Sequence, residues 1–132
     1  MKKIIVPGLA AGLLMLLVSL LLTPILYLVF PGLPAEYQTP GLFRPWSDPL
    51  MSLIFVHPIL LGLILAWVWD QVKSAVGNGL KFGVGVWLIA SVPGMFISYS
   101  SFYLSLAMIT SWTLLALVQL IFAGMVYARL NK

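Results

Sequence analysis

Four long apolar runs succeed one another along the chain, separated by short polar or proline-rich intervals. The first runs from about Ile4 to Phe30, and only Ser19, Thr23 and Tyr27 interrupt it with hydrogen-bonding side chains. At the rise of an α-helix it reaches about 40 Å, against a hydrocarbon core of about 30 Å, so it must tilt, bend or project. Pro24 removes one backbone donor and predicts a bend. The second run covers about Leu50 to Val72, the third about Leu80 to Ser98, and the fourth about Phe102 to Tyr127. Each is long enough to cross a bilayer as a helix.

The intervals define the connections. Residues 31–49 hold Pro31, Pro34, Pro40, Pro45 and Pro49 with Gly32 and Gly41, a composition that predicts neither a helix nor a central strand. Tyr37, Phe43 and Trp46 alternate there with Glu36, Arg44 and Asp48, a mixture suited to lipid headgroups. Asp48-Pro49 reads as a helix N-cap followed by proline at the first helical position. Gly77-Asn78-Gly79 is a tight turn, and Ser98-Tyr99-Ser100-Ser101 is a very short link. Short links force antiparallel neighbours. The expected fold is an all-α integral membrane protein: one domain over residues 1–132, with four transmembrane helices in an up-down-up-down bundle.

Composition agrees. Of 132 residues, 62% are hydrophobic and 8% are charged, against roughly 25% charged in soluble domains. A water-soluble globule is excluded, because too few polar side chains exist to cover a surface. The net charge of +4 does not mark a nucleic-acid partner, since the basic residues sit in ones and twos at span ends. Lys2, Lys3, Lys73, Lys81, Arg129 and Lys132 fall on one side of the four-span arrangement, and Arg44 alone on the other. That bias predicts cytoplasmic termini, with the proline-rich loop outside and the chain in a prokaryotic inner membrane. Trp67, Trp69 and Tyr127 then lie near the inner interface; Tyr27, Tyr37, Trp46, Tyr99 and Tyr103 lie near the outer one. Lys2 and Lys3 could open a signal peptide, but the first apolar run far exceeds an h-region of roughly 7–15 residues, and no small-residue cleavage pattern follows.

Candidate chemistry is sparse. With no cysteine and one histidine, thiol catalysis, iron–sulfur clusters and a His-rich metal site within one chain are excluded. No cofactor is expected. Helix packing in lipid favours small and mildly polar residues. Such stripes contain Gly8 and Gly12, then Gly62 and Ala66, then Gly83 and Gly94, and finally Trp112 and Gln119 in the fourth span. The polar residues Ser19, Thr23, Tyr27, Ser98, Ser101 and Ser105 thicken toward the outer half, and His57 lies at a similar depth. They predict either local hydrogen bonds within packed helices or a narrow polar cavity open outward. An ionisable group inside a membrane is a functional candidate by default, although His57 is set about 140° around the helix from Gly62. Asp70 and Lys73 predict an interfacial ion pair. Arg44 and Asp48 can clamp the outer loop.

Two functions fit these features. The first is a non-catalytic accessory subunit or assembly factor, bound to other membrane subunits through its oily helix backs. The second is a small homo-oligomeric transporter or channel with a polar cavity near His57. Besides lipid, the expected partners are other membrane subunits or further copies of the chain.

Overall fold

The computed structural model describes residues 2–131, all helix and connecting segments, without a strand among them. Helix α1 spans Lys2–Val29, α2 Leu33–Tyr37, α3 Leu53–Val76, α4 Gly79–Val86, α5 Val92–Ser101 and α6 Leu106–Leu130. A 3₁₀ turn, Pro49–Ser52, leads into α3, and a π-helical turn, Trp87–Ser91, joins α4 to α5. Four stretches are long and apolar enough to cross a membrane: Lys2–Val29, Pro49–Val76, Gly79–Ser101 and Leu106–Leu130. They mark the chain as an integral membrane protein.

The helix ends follow local chemistry. The Asp48 carboxylate accepts from the Leu50 N–H at 2.9 Å and starts the 3₁₀ turn. Gly77 closes α3 in the left-handed conformation at φ 63°, which a side chain would disfavour. The Asn78 side chain caps α4 by accepting from Leu80 and Lys81. Ser105 caps α6 by accepting from Met108 at 3.0 Å. The fourth span therefore starts later than about residue 102, because Phe102–Ser105 is the link and Ser98–Ser101 belongs to α5. The proline-rich loop also departs from expectation, since Leu33–Tyr37 is helical. Pro34 stands in its first turn, where no backbone donor is required. Helix α1 continues through Pro7 and Pro24.

Two helices form a spine. Helix α1 packs against both α3 and α6, and α6 packs in addition against α4 and α5. The α1–α3 contact is made by glycine. A Cβ added at Gly8 would lie 2.9 Å from the Leu63 Cα, and one at Gly12 2.7 Å from the Ile59 Cα. A Cβ on Gly62 would strike the Gly8 carbonyl and stand 2.7 Å from the Gly12 nitrogen. The α4–α6 contact repeats the device. Gly79 meets Gly124 backbone to backbone, and Gly83 meets the Leu120 carbonyl. In both pairs one residue number rises as the other falls, so the paired helices are antiparallel. Without a hydrophobic drive between helices in lipid, such close approach supplies the dispersion contacts that hold them. Gly94 does not share this role: an added Cβ there would meet nothing within 4 Å. The π-turn before it inserts an extra residue into the helical register, so the stripe that passes through Gly83 does not continue through Gly94.

The larger of two buried clusters lies toward the end of the molecule nearest the Gly77–Asn78 turn. Met15, Leu65, Trp69, Phe82, Leu120 and Tyr127 are buried together. Phe82 makes edge-on contacts with both Trp69 and Tyr127, at centroid distances of 5.3 and 6.0 Å. Trp69 and Tyr127 are thus core residues rather than members of an interfacial belt, whereas Trp67 is exposed.

Candidate functional site

Two places bring polar chemistry together: the loop end and the turn end.

At the loop end, residues 33–43 fold over the start of α6. Leu33, Leu104, Met108 and Ile109 are buried there. Tyr37 packs among Tyr27, Phe43 and Trp112 at centroid distances of 6.1, 5.3 and 6.5 Å. The Trp112 Nε1–H donates to the Tyr37 hydroxyl at 2.5 Å. Burial pushes the Tyr37 hydroxyl above the ordinary tyrosine value, and the Trp112 hydrogen bond works against that shift. Glu36 is the further fixing point. Its carboxylate accepts from the Ser105 backbone N–H at 2.7 Å and from the Ser105 hydroxyl at 2.5 Å. Because Ser105 caps α6, Glu36 completes the cap with a negative charge at a helix N-terminus. A shallow concavity beside this bond is lined by Glu36, Thr39, Gly41, Tyr103 and Ser105.

Arg44 and Asp48 close the same loop, with Nη1 and Oδ2 2.7 Å apart. The Arg44 hydrogen bond, with that from Leu50, holds the Asp48 carboxyl below the usual carboxylate value. A depressed value in the folded state gives a contribution that is complete above the unfolded carboxylate pKa and is lost as pH falls through the folded one. Protection of the Leu50 amide, its exchange measured against the intrinsic rate at each pH, is therefore expected to hold from neutral pH down through the ordinary carboxylate range and to fall only below it. Asp48→Asn should remove that acid transition.

At the turn end, Asp70 and Lys73 lie 3.0 Å apart. The buried Asn131 joins them, donating from Nδ2 to Asp70 at 3.1 Å and accepting from Lys73 at 2.8 Å. Its backbone carbonyl accepts from Trp69 Nε1 at 3.0 Å. The pair is thus one part of a latch between α3 and the residue after α6. Lys132, counted with the basic residues of this side, lies outside the described residues.

Inside the bundle, the remaining polar groups are used locally. Gln119 donates to the Met15 carbonyl at 2.9 Å and ties α6 to α1. The Tyr127 hydroxyl donates to the Gly62 carbonyl at 3.0 Å. Thr23 donates to the Ser19 carbonyl and Ser98 to the Gly94 carbonyl, each one turn back on its own helix. Every buried side-chain nitrogen and oxygen among the described residues has a partner. The outer polar residues therefore do not form one hydrogen-bonded group. Ser105 is bonded to Glu36, Tyr27 packs on Tyr37, and Ser101 is exposed. Ala66 is fully buried in the core, beside the glycine contacts of α1 and α3.

His57 stands apart from all of these. It lies on the exposed side of α3, with no hydrogen bond to any described residue. It is about 12 Å along the helix from Pro49 and about 20 Å from Asp70. Pro58, next to it, turns inward and is buried. The side chains exposed around His57 are apolar: Leu53, Ile54, Leu60 and Ile64.

Asn131, the Glu36–Ser105 bond and Gly124 are contacts that the sequence pattern alone does not single out. Gly124 lies about 140° around the fourth span from Gln119, off the stripe that Trp112 and Gln119 predict. Glu36 and Ser105 are far apart in sequence, and only the folded loop brings them together. No family model, curated protein or solved structure matches the chain.

Proposed function

We propose that the protein is a non-catalytic accessory subunit or assembly factor, which works by packing against other proteins within the bilayer. The closed interior is the observation that carries this reading. Helices α1 and α3, and α4 and α6, touch backbone to backbone at their glycines. The buried polar side chains are already satisfied by one another or by the main chain. Such an interior leaves its polar groups little to offer a solute. The outside, by contrast, offers broad apolar faces on α1, α3 and the third span, including Leu13, Leu17, Leu20, Leu88, Ile89 and Phe96. The fixed cap at the loop end adds a shaped surface beyond the lipid.

In this reading the spans form an up-down-up-down bundle. The excess of basic residues at the turn end supports a cytoplasmic position for that end and for both termini, in a prokaryotic inner membrane. Native mass spectrometry after gentle extraction from the source membrane is expected to show the chain together with larger, different polypeptides. A preparation containing only copies of this chain would overturn the subunit reading. Reporters fused to the two termini should both score cytoplasmic, and reporters scoring outside would reverse the orientation.

A further inference from the structure

The exposed side of α3 carries a regular seam. Leu50, in the 3₁₀ turn that leads into α3, and then Leu53, His57, Leu60, Ile64 and Trp67 on α3 follow one another at alternating steps of three and four residues. Leu50, His57 and Ile64 are seven apart, as are Leu53, Leu60 and Trp67. The five apolar members are each between 49% and 55% exposed, and His57 is exposed among them. This is the spacing of a left-handed coiled-coil contact, which most transmembrane helix pairs share. One polar side chain at a single core position of such a seam sets register and the number of strands. His57 occupies such a position.

The chemistry of His57 requires an occupant for this seam. Between Pro49 and Asp70, His57 is the one ionisable side chain of its span. A polar group in hydrocarbon without a hydrogen bond is costly, and His57 takes none from the described residues. A headgroup lies about 10 Å or more away along the helix, beyond the reach of an imidazole. A partner must therefore come from another helix at the same depth. Neutral imidazole carries one donor and one acceptor nitrogen, so it is complementary to itself. Copies inserted in one orientation and related by a two-fold axis along the membrane normal bring equal residue numbers face to face. That operation places His57 against His57, where one ring donates and the other accepts.

We infer that the seam through His57 is a self-association face, and that the protein forms a parallel dimer through α3 held in register by a His57–His57 hydrogen bond. The inference goes beyond the subunit reading and does not depend on it. The dimer leaves the exposed faces of α1 and the third span uncovered for other chains.

The absence of cysteine makes the test direct. Leu53→Cys, Leu60→Cys and Phe55→Cys are each introduced alone, and native membranes are treated with a mild oxidant. Phe55 is exposed on the far side of the same helix and serves as the internal control. A disulfide needs Cα atoms within about 7 Å. Leu53→Cys and Leu60→Cys should therefore give covalent dimers at least about tenfold more readily than Phe55→Cys. Adding His57→Ala to Leu60→Cys should lower the dimer yield by about tenfold, the scale of one interhelical hydrogen bond in a bilayer. His57→Asn, also a donor and acceptor, should restore it. Equal yields at Phe55 and Leu60, or none at Leu53 and Leu60, would overturn the dimer. Full yield with His57→Ala would overturn the hydrogen bond. Mass spectrometry of the native extract decides the subunit reading separately, since foreign chains can be present or absent whichever way the disulfides fall.

Discussion

Gly62→Leu is expected to remove the folded state, with a loss of about 3 kcal/mol or more, at the upper end for overpacked cores. The reason is what a side chain would meet. A Cβ at Gly62 points at the main chain of α1, at the Gly8 carbonyl and the Gly12 nitrogen, not at a flexible side chain that could swing away. The two helices would have to separate, and the dispersion contacts at Leu63 and Ile59 would go with them. The Tyr127 hydroxyl would also lose its place beside the Gly62 carbonyl. A Leu88→Ala change on the exposed side of the third span should cost little by comparison. Thermal unfolding in mild detergent, followed by circular dichroism, measures both. Equal and small effects would mean that the glycine contact does not hold the bundle.

The second large effect is expected at Tyr127. Its ring is fully buried, stands edge-on to Phe82 and fills the space between α3, α4 and α6. Tyr127→Ala should cost about 3–5 kcal/mol, from lost transfer energy and the cavity left behind. Tyr127→Phe keeps the ring and removes only the bond to the Gly62 carbonyl, and should cost about 1 kcal/mol. A large difference between the two variants assigns the stability to packing. Near-equal losses would assign it to the hydroxyl instead. The same unfolding measurement applies, and a dye that binds exposed apolar surface would report the opened core.

The four spans were legible because a bilayer demands long apolar runs, and nothing else in a short chain produces them. Gly8, Gly12, Gly62 and Gly83 were legible as small residues at four-residue spacing, and the structure places each against a neighbouring backbone. The limits came from features that a single helical period does not carry. The π-turn at Trp87–Ser91 shifts the register of the third span, so Gly94 was put on a contact face that it does not occupy. Tyr127 resembles an interfacial aromatic by position, yet α3 and α4 lean over it and bury it. His57 was separated from the Gly62 face by angle alone, and the structure puts it on the exposed side. The short helix in the loop is hidden from the sequence pattern by Pro34, which predicts a break there yet is at home in a first turn. Contacts between distant residues, such as Glu36 with Ser105 and Asn131 with Asp70, have no local signature at all.

The spine of α1 and α6 joins the first long helix to the last in chain order. Gln119 reaches the Met15 carbonyl across 104 residues. As the chain leaves the ribosome, α1 and α3 can pair at once, since both halves of their glycine contact have been made. Helix α4 has no such option. Its flat glycine face waits for Gly124 and Leu120, which are translated after everything it otherwise touches. Until α6 is made, the glycine face of α4 therefore lacks the backbone it packs against. The α1–α3 pair can thus form early, whereas the α4–α6 contact is completed only with α6, and a chain stopped before α6 would leave the glycine surface of α4 open.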